Sequence, residues 1–315
     1  MRSHRCCDYR WPDGAHRTGG NPFRRLSLLL ARGLPRRGGT EHDSRVESVL
    51  GANPRGAGSN QPSVRVQRNN DGAEVVYIIE ANPRASRTVP FVAKATGQPL
   101  ARLATRLMAG ETLTDIGMTS EPKPPLQSIK EAVLPFRRFP GADTVLGPEM
   151  RSTGEVMGSA DSFGMAYAKA ELGAGEALPT QGTVFLSTHD RDKQALVPIA
   201  ARLIELGFDV TATSGTAQAL ANAGLKVQSV LKVHEGRPNI EDQIRSNQVQ
   251  LVINTPIGRQ AAHDDKYLRR AALDYAVPTV TTLAGARAAV EAISALQQQP
   301  RLSIHALQDV HVMQR

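Results

Sequence analysis

Short apolar segments alternate with helix-like segments between residues 182 and 297. Three of them, Thr183–Ser187, Phe208–Ala212 and Val249–Ile253, have the length and the apolar character of strands. Between the first two, Lys193–Leu206 has apolar residues at helical spacing. Strands that are connected through helices form parallel sheets with both faces covered. The region is therefore predicted to adopt an α/β fold built on a Rossmann-like parallel sheet.

Further predicted elements complete this pattern and extend it toward the N-terminus. Helices are predicted at Pro90–Gly110, Ser162–Leu172, Thr216–Ala223, Asp264–Tyr275 and Gly285–Leu296. Strands are predicted at Ser128–Phe136, Thr153–Gly158 and Thr279–Thr281. The composition of Gly173–Gln181 is typical of a linker, so the chain is expected to contain two domains.

The net charge of +8 is confined to the first part of the chain. Residues 1–70 contain 13 arginines, no lysine and 5 acidic residues, so their net charge is 13 − 5 = +8. The remaining residues contain 25 basic and 25 acidic side chains, so their net charge is zero. The high isoelectric point therefore does not indicate a nucleic-acid surface on the folded part. Both cysteines also lie in residues 1–70, and a reducing compartment is compatible with that distribution.

The apolar segment Val75–Ile79 is followed directly by a carboxylate, Glu80. Asn82 lies two residues further on, so both residues are expected on the same face of a strand. Carboxylate and amide oxygens are suitable ligands for Mg²⁺ or Mn²⁺, and Arg84 could contact an anion beside such a metal. These groups are the ones needed to hold nucleotide phosphates, although a carboxylate at a strand end can also cap a turn.

A second group of polar residues follows the predicted strands of the α/β region. Thr213, Ser214, Gly215 and Thr216 lie between a strand and a helix, where hydroxyls and helix N–H groups can bind a phosphate. The same four residues are also compatible with an ordinary helix N-cap. Lys193, Lys232 and Asn254 lie at strand ends or in the loops that follow, and open α/β sheets bind ligands there.

The Glu80 motif belongs to a longer series of segments. They are residues 80–97, 131–136, 139–141, 146–158, 233–238, 253–255 and 306–309. Together these segments resemble the large chain of the carbamoyl phosphate synthetase family, over residues 71–315. The resemblance implies the C-terminal part of an ATP-grasp domain at 71–175 and a methylglyoxal synthase-like regulatory domain at 176–315. Residues 1–70 remain unmatched.

The resemblance implies a ligase that makes carbamoyl phosphate for arginine and pyrimidine biosynthesis. In that family ATP phosphorylates bicarbonate and then carbamate, and a glutaminase small chain supplies ammonia. Glu80 and Asn82 would hold the metal and ATP. Arg84 and Arg87 would contact the transferred phosphoryl group or the carboxylated intermediate. Because half of an ATP site would lie upstream of the matched residues, the chain is expected to be inactive alone.

The resemblance also implies a regulatory site in the second domain. Its phosphate pocket for a nucleotide monophosphate effector would be lined by Lys193, Thr213, Ser214, Gly215, Thr216, Lys232 and Asn254. Pro256 departs from the family, in which some members have a threonine that helps to hold the nucleotide. True methylglyoxal synthases use a carboxylate after the Asn-bearing strand, whereas Ile257–Ala262 contains none and the next is Asp264. Independent lyase activity is therefore not expected.

Two hypotheses account for residues 1–70, which show no sustained helical or strand periodicity. One is a disordered basic tail. The other is a frameshift near residues 68–70. Members of the family have a strand similar to Gln-Phe-Ala-Phe-Asn before the Glu80 strand. A DNA string encoding that peptide encodes Val64-Arg65-Val66-Gln67 in another register.

The sequence thus favours a fragment of a carbamoyl phosphate synthetase large chain. The alternatives are a stand-alone module that senses a nucleotide or phosphate without catalysis, and a methylglyoxal synthase-like lyase. The expected partners are the glutaminase small chain, the effector and further copies in a homo-oligomer, but not nucleic acid. Because no apolar run approaches 18 residues, no membrane partner is expected, and the predicted location is the cytoplasm.

Overall fold

The computed structural model describes residues 44–46, 49–53, 56–68, 74–82, 86–120, 122, 124–138, 153–255 and 266–312. Side chains are described from residue 86 onward within these ranges, and at Val75 and Tyr77. The chain divides into two compact units. One contains residues 1–125 and 305–315, and the other contains residues 126–304.

The first unit is built around a long strand, β3 (Gly56–Arg68). It pairs antiparallel with β1 (Ser44–Val46), β2 (Val49–Asn53) and β4 (Glu74–Asn82). No strand is predicted before residue 71 from the sequence, so β1, β2 and β3 differ from expectation. In β3, Val64 and Val66 pair with apolar residues of β4. Two alternating apolar residues are too few to reveal a strand period in the sequence.

Two helices replace the single helix predicted at Pro90–Gly110, and that prediction was wrong. They are α1 (Thr88–Thr96) and α2 (Leu100–Met108). Gly97 ends α1 in the left-handed conformation, with φ of 70°, as glycine commonly does after a helix. Pro99 then occupies the N-cap position of α2, where its lack of an N–H group does no harm. The helical spacing of the apolar residues continued across this break and concealed it.

A short C-terminal helix, α9 in chain order (Leu307–Val312), returns to the first unit. The Nε2 atom of His311 lies 2.6 Å from the carbonyl oxygen of Lys94, in the last turn of α1. Carbonyl groups in the last turn of a helix have no partner within the helix, so a His311 ring that donates from Nε2 satisfies this one. The His311 ring also packs against Gly97, within 3.1 Å of the position a Cβ would take.

The second unit begins with an antiparallel hairpin that packs against a helix. Its strands are β5 (Gln127–Val133) and β6 (Gly154–Ala160), and the helix is α3 (Phe163–Ala174). Ser162 caps α3 by accepting a hydrogen bond from the Met165 amide. Strands and a helix were predicted here within a few residues of these bounds.

A five-stranded parallel sheet forms the rest of the second unit, in the order β11-β10-β7-β8-β9. Its strands are β7 (Thr183–Thr188), β8 (Asp209–Thr213), β9 (Gln228–Val230), β10 (Leu251–Thr255) and β11 (Thr279–Val280). The helices are α4 (Lys193–Glu205), α5 (Ser214–Asn222), α6 (Ile240–Arg245), α7 (Lys266–Asp274) and α8 (Leu283–Gln298). The predicted parallel α/β sheet is confirmed.

Each face of this sheet carries its own apolar core. On one face Leu186 and Ile253 pack with α4, α5 and α8. On the other face Phe185 and Val252 pack with α6 and α7. Neither β9 nor α6 is predicted from the sequence, because both are short. The start of α6 nevertheless has a recognisable signal, since Asn239 and Asp242 form a reciprocal capping box.

Glu171, on α3, gives the second unit a predicted pH dependence. Burial raises the pKa of Glu171 to about 7, and the hydrogen bond from Tyr167 offsets this only in part. The folded state favours the protonated form of Glu171. The contribution of Glu171 to the free energy of unfolding is therefore fully present below its ordinary pKa, and it is lost as pH rises through about 7. We expect Glu171→Gln to raise the thermal unfolding midpoint at pH 8 but not at pH 5. Glu291→Gln, at an exposed position on α8, is the control. Equal shifts at both pH values would contradict the prediction.

Candidate functional site

The predicted phosphate-site residues converge on the carboxyl edge of the parallel sheet. Thr213 is the last residue of β8, and Ser214, Gly215 and Thr216 open α5. Lys193 is the first residue of α4, which follows β7. Asn254 is buried near the end of β10, and Lys232 is exposed two residues beyond β9. Ligands of open α/β sheets bind at this edge.

Thr216 holds the start of α5 against the end of the neighbouring strand. Its Oγ1 accepts a hydrogen bond from the Thr213 hydroxyl at 3.2 Å and lies 3.4 Å from the backbone nitrogen of Thr188. Although Thr213 occupies the N-cap position, its side chain accepts no hydrogen bond from the first-turn amides. The ordinary N-cap interpretation therefore does not describe Thr213. Its hydroxyl instead donates to Thr216 Oγ1. The first-turn amides of α5 therefore receive no capping hydrogen bond from Thr213.

The ammonium group of Lys193 lies over the N-terminus of α5. A Cβ placed on Gly215 would be only 3.1 Å from Lys193 Nζ, so glycine permits this approach. The same Nζ is 2.7 Å from Asp190 Oδ1, and the Lys193 side chain is 20% exposed. A lysine and uncapped helix amides therefore face the same small region. Both are donors, and both favour an anion there.

Asp190 is the acidic residue at this positive edge. The hydrogen bond from Lys193 is the main cause that lowers the pKa of Asp190 below its ordinary value. The charges of Lys193, His189 and Lys232 lower it further. Lys232 is therefore close enough to act on the same carboxylate as Lys193. In this structure the Asp190 carboxylate pairs with the Lys193 ammonium group. An incoming anion would therefore compete with Asp190 for that group.

Asp190, Thr188 and Thr255 also lie at this edge and are not among the residues predicted from the sequence. Asp190 lies in a short 3₁₀ turn that connects β7 to α4, and nothing in its residue type distinguished it from Asp192. Thr188 and Thr255 are the last residues of β7 and β10, and the register pairs them directly. The rule that ligands bind beyond strand ends could have identified both threonines once the strand bounds were known.

The residues predicted to bind ATP and metal are only partly described. Glu80 and Asn82 lie two positions apart in β4, where they pair with Ser63 and Gln61. Their side chains, and the whole of Arg84, lie outside the described residues. Arg87 is exposed and precedes α1 without capping it. Among the residues with described side chains, no group of three or more His, Cys, Asp or Glu could hold a metal.

Two family profiles match the chain. Residues 195–281 match the MGS-like domain, which spans α4 to β11 and so most of the parallel sheet. Residues 57–116 match the ATP binding domain of the carbamoyl-phosphate synthase L chain. The second match begins inside residues 1–70, for which no match was expected.

Curated relatives match a larger part of the chain. A carbamoyl phosphate synthase large chain from Synechocystis sp. is 58% identical over 235 residues, which are 74% of this chain and 22% of the relative. The corresponding chain from Nostoc sp. is 59% identical over 222 residues, 70% of this chain and 20% of the relative. The large chain from Pseudomonas putida is 52% identical over 236 residues, which are 75% of this chain and 22% of the relative. The chain spans about a fifth of the length of the curated relatives that it matches.

The parallel sheet with its polar carboxyl edge thus defines an α/β domain of the MGS-like type. Over its matched residues, the chain belongs to the carbamoyl phosphate synthase large-chain family, as a fragment that includes this domain. The predicted family is confirmed. Among the described residues, no helix is both long and apolar enough to cross a membrane.

Proposed function

We propose that the carboxyl edge of the parallel sheet binds the phosphate of a nucleotide monophosphate that regulates a carbamoyl phosphate synthase. The observation that carries this proposal is the position of Lys193 Nζ over the uncapped N-terminus of α5, beside Gly215. The pocket would comprise Lys193, Thr213, Ser214, Gly215, Thr216, Lys232 and Asn254.

The chemistry of these groups favours a phosphate over other ligands. Lysine ammonium and backbone N–H groups are donors only, and a phosphate dianion is an acceptor that can engage several of them at once. Each hydrogen bond to a charged group contributes about 1.5–3 kcal/mol, and the helix N-terminus adds about 0.3–1 kcal/mol. Three such contacts contribute about 4.5–9 kcal/mol in total, which is of the same order as the cost of association.

The activity proposed for the whole protein is ATP-dependent formation of carbamoyl phosphate from bicarbonate and glutamine-derived ammonia. The names of the relatives and the ATP binding domain match support it. In this proposal Glu80 and Asn82 hold Mg²⁺ or Mn²⁺ together with ATP, and Arg84 and Arg87 stabilise the transferred phosphoryl group or the intermediate. A glutaminase small chain is the proposed partner, in a cytoplasmic complex that can include further copies of the large chain.

A stand-alone sensing module is the second candidate. The described residues of the proposed pocket all lie within the unit of residues 126–304, so ligand binding does not require the other unit. This candidate predicts the same phosphate binding as the first but no role in catalysis. The lyase alternative depends on Ile257–Ala262 and Asp264, which lie outside the described residues, and no described residue favours it.

Calorimetric titration of the full chain with inorganic phosphate, UMP and IMP tests the proposal. We expect binding of at least one nucleotide, and thermal stabilisation that an equal ionic strength of NaCl does not produce. NaCl at equal ionic strength is the control for screening of surface charges. Absence of binding by all three ligands would contradict the proposal. Bicarbonate-dependent ATP hydrolysis by a protein that joins this chain to the rest of a carbamoyl phosphate synthase large chain would separate the synthase from the stand-alone module.

A further inference from the structure

Two threonine hydroxyls at the carboxyl edge are buried without a hydrogen-bond partner. They are the Oγ1 atoms of Thr188 and Thr255. The Thr255 residue is only 6% exposed, and Thr188 is partly buried with its oxygen inaccessible. Buried hydroxyl groups are normally hydrogen-bonded, because leaving one unpaired costs free energy that an isosteric valine would not. Such a pair at a strand end therefore needs an explanation.

The strand register brings these two hydroxyls together. Thr188 of β7 and Thr255 of β10 are direct partners in the parallel ladder, so both side chains lie on the same face of the sheet. That face is the one on which Leu186 and Ile253 pack with α4, α5 and α8. The pair forms the last row of this face before the carboxyl edge.

Thr188 and Thr255 lie on the two neighbouring strands at which the strand order of the sheet reverses. From β7 the chain adds β8 and β9 on one side and β10 and β11 on the other, so the switch lies between β7 and β10. The crevice of a doubly wound sheet opens there. The phosphate site lies directly beside it, because the backbone nitrogen of Thr188 is 3.4 Å from Thr216 Oγ1.

We propose that Thr188 and Thr255 form a second subsite, which binds the hydroxyl-bearing part of a phosphorylated sugar. The inference rests on the proposed phosphate site and assigns a separate role to these two residues. Lys193 and the amides of α5 are donors only and match a phosphate. A threonine hydroxyl both donates and accepts, so the pair matches sugar hydroxyls, which do the same. The subsite therefore gives sugar phosphates an advantage over inorganic phosphate.

Isosteric substitutions test this subsite without creating a cavity. In Thr188→Val and Thr255→Val, we expect affinity for ribose 5-phosphate to fall about tenfold per hydroxyl, the value of one good hydrogen bond. Affinity for inorganic phosphate is expected to stay within twofold, measured by calorimetry on the full chain. The thermal midpoint of the free protein should be unchanged or higher, because an unpaired buried hydroxyl has been removed. Thr255→Ser, which retains the hydroxyl, should retain the preference for ribose 5-phosphate.

Thr211→Val is the matched control. The Thr211 hydroxyl is also buried without a partner, but it lies in the interior of β8, two residues before the edge. This variant should share the stability effect and leave both affinities unchanged.

Three outcomes would overturn the inference. In the first, both ligands lose affinity equally in the Thr188 and Thr255 variants. In the second, neither ligand loses affinity. In the third, the free Thr255→Val protein is clearly less stable, which would mean that its hydroxyl is already paired. If the wild-type chain binds neither ligand, the proposed phosphate site fails as well. If it binds phosphate with no preference for ribose 5-phosphate, only the subsite fails.

Discussion

Replacing Lys193 with methionine is expected to weaken binding of nucleotide monophosphates by about 10- to 150-fold. Methionine has a similar length and an apolar stem, so the change mainly removes the ammonium group that lies 2.7 Å from Asp190 and over Gly215. A hydrogen bond to a charged partner contributes about 1.5–3 kcal/mol, which gives this range. Isothermal titration of the wild-type and variant chains measures it directly.

A substitution of Asp190 is expected to increase the affinity that Lys193→Met decreases. Asp190→Asn removes the carboxylate that competes for the Lys193 ammonium, so affinity for the phosphate group is expected to rise several-fold. Asp192→Asn is the control, because it makes the same change in net charge two residues away, where Asp192 lies 3.6 Å from Arg191. A Lys193→Met chain that binds as tightly as the wild type, or equal effects of the two asparagine variants, would contradict this account of the site.

The second large effect is expected at Gly164, where α3 meets α8. A Cβ at this position would lie 2.6 Å from the carbonyl oxygen of Glu291 and 3.2 Å from the Cβ of Ala295. The first neighbour is backbone, so α8 would have to shift as a whole. Overpacking of this kind costs about 2–3 kcal/mol, which corresponds to a decrease of about 5–10 °C in the thermal midpoint. Gly164→Ala and calorimetric unfolding of the full chain test the prediction.

Gly173→Ala provides the comparison within the same helix. Its added Cβ would have its nearest neighbour, the Cβ of Val156, at 3.4 Å, which is ordinary contact. Because alanine is favoured over glycine in a helix by up to about 1 kcal/mol, this variant should be neutral or slightly more stable. A Gly164→Ala chain that unfolds at the same temperature as Gly173→Ala would show that α3 and α8 do not pack as closely as described.

Much of the parallel sheet could be predicted from the sequence because each strand is apolar along most of its length and is separated by a helix. That pattern fixes the order of elements and places Lys193, Thr213 and Asn254 at or beyond strand ends, at one edge of the sheet. The break between α1 and α2 also has a sequence signal, Gly97 and Pro99, but the apolar residues keep their helical spacing across it.

Other features of the site depend on register and side-chain geometry, which composition and periodicity do not specify. The pairing of Thr188 with Thr255 requires the ladder between β7 and β10. The contact between Asp190 and Lys193 requires the 3₁₀ turn that brings a carboxylate back over the start of α4. Residue types alone left an ordinary N-cap and a phosphate site open at Thr213, and only the side-chain geometry shows that Thr213 makes no capping hydrogen bond.

The most direct test of the central claim is to locate the bound phosphate group on the full chain by amide-resolved NMR titration with UMP. The account predicts that the largest shifts occur at the amides of Ser214, Gly215 and Thr216, with a smaller group around Lys193. It also predicts that the Lys193→Met variant needs about 10- to 150-fold more UMP to reach the same shifts. Saturable binding with shifts confined to other parts of the chain, or no shifts at millimolar UMP, would contradict the claim that this sheet edge is the effector site.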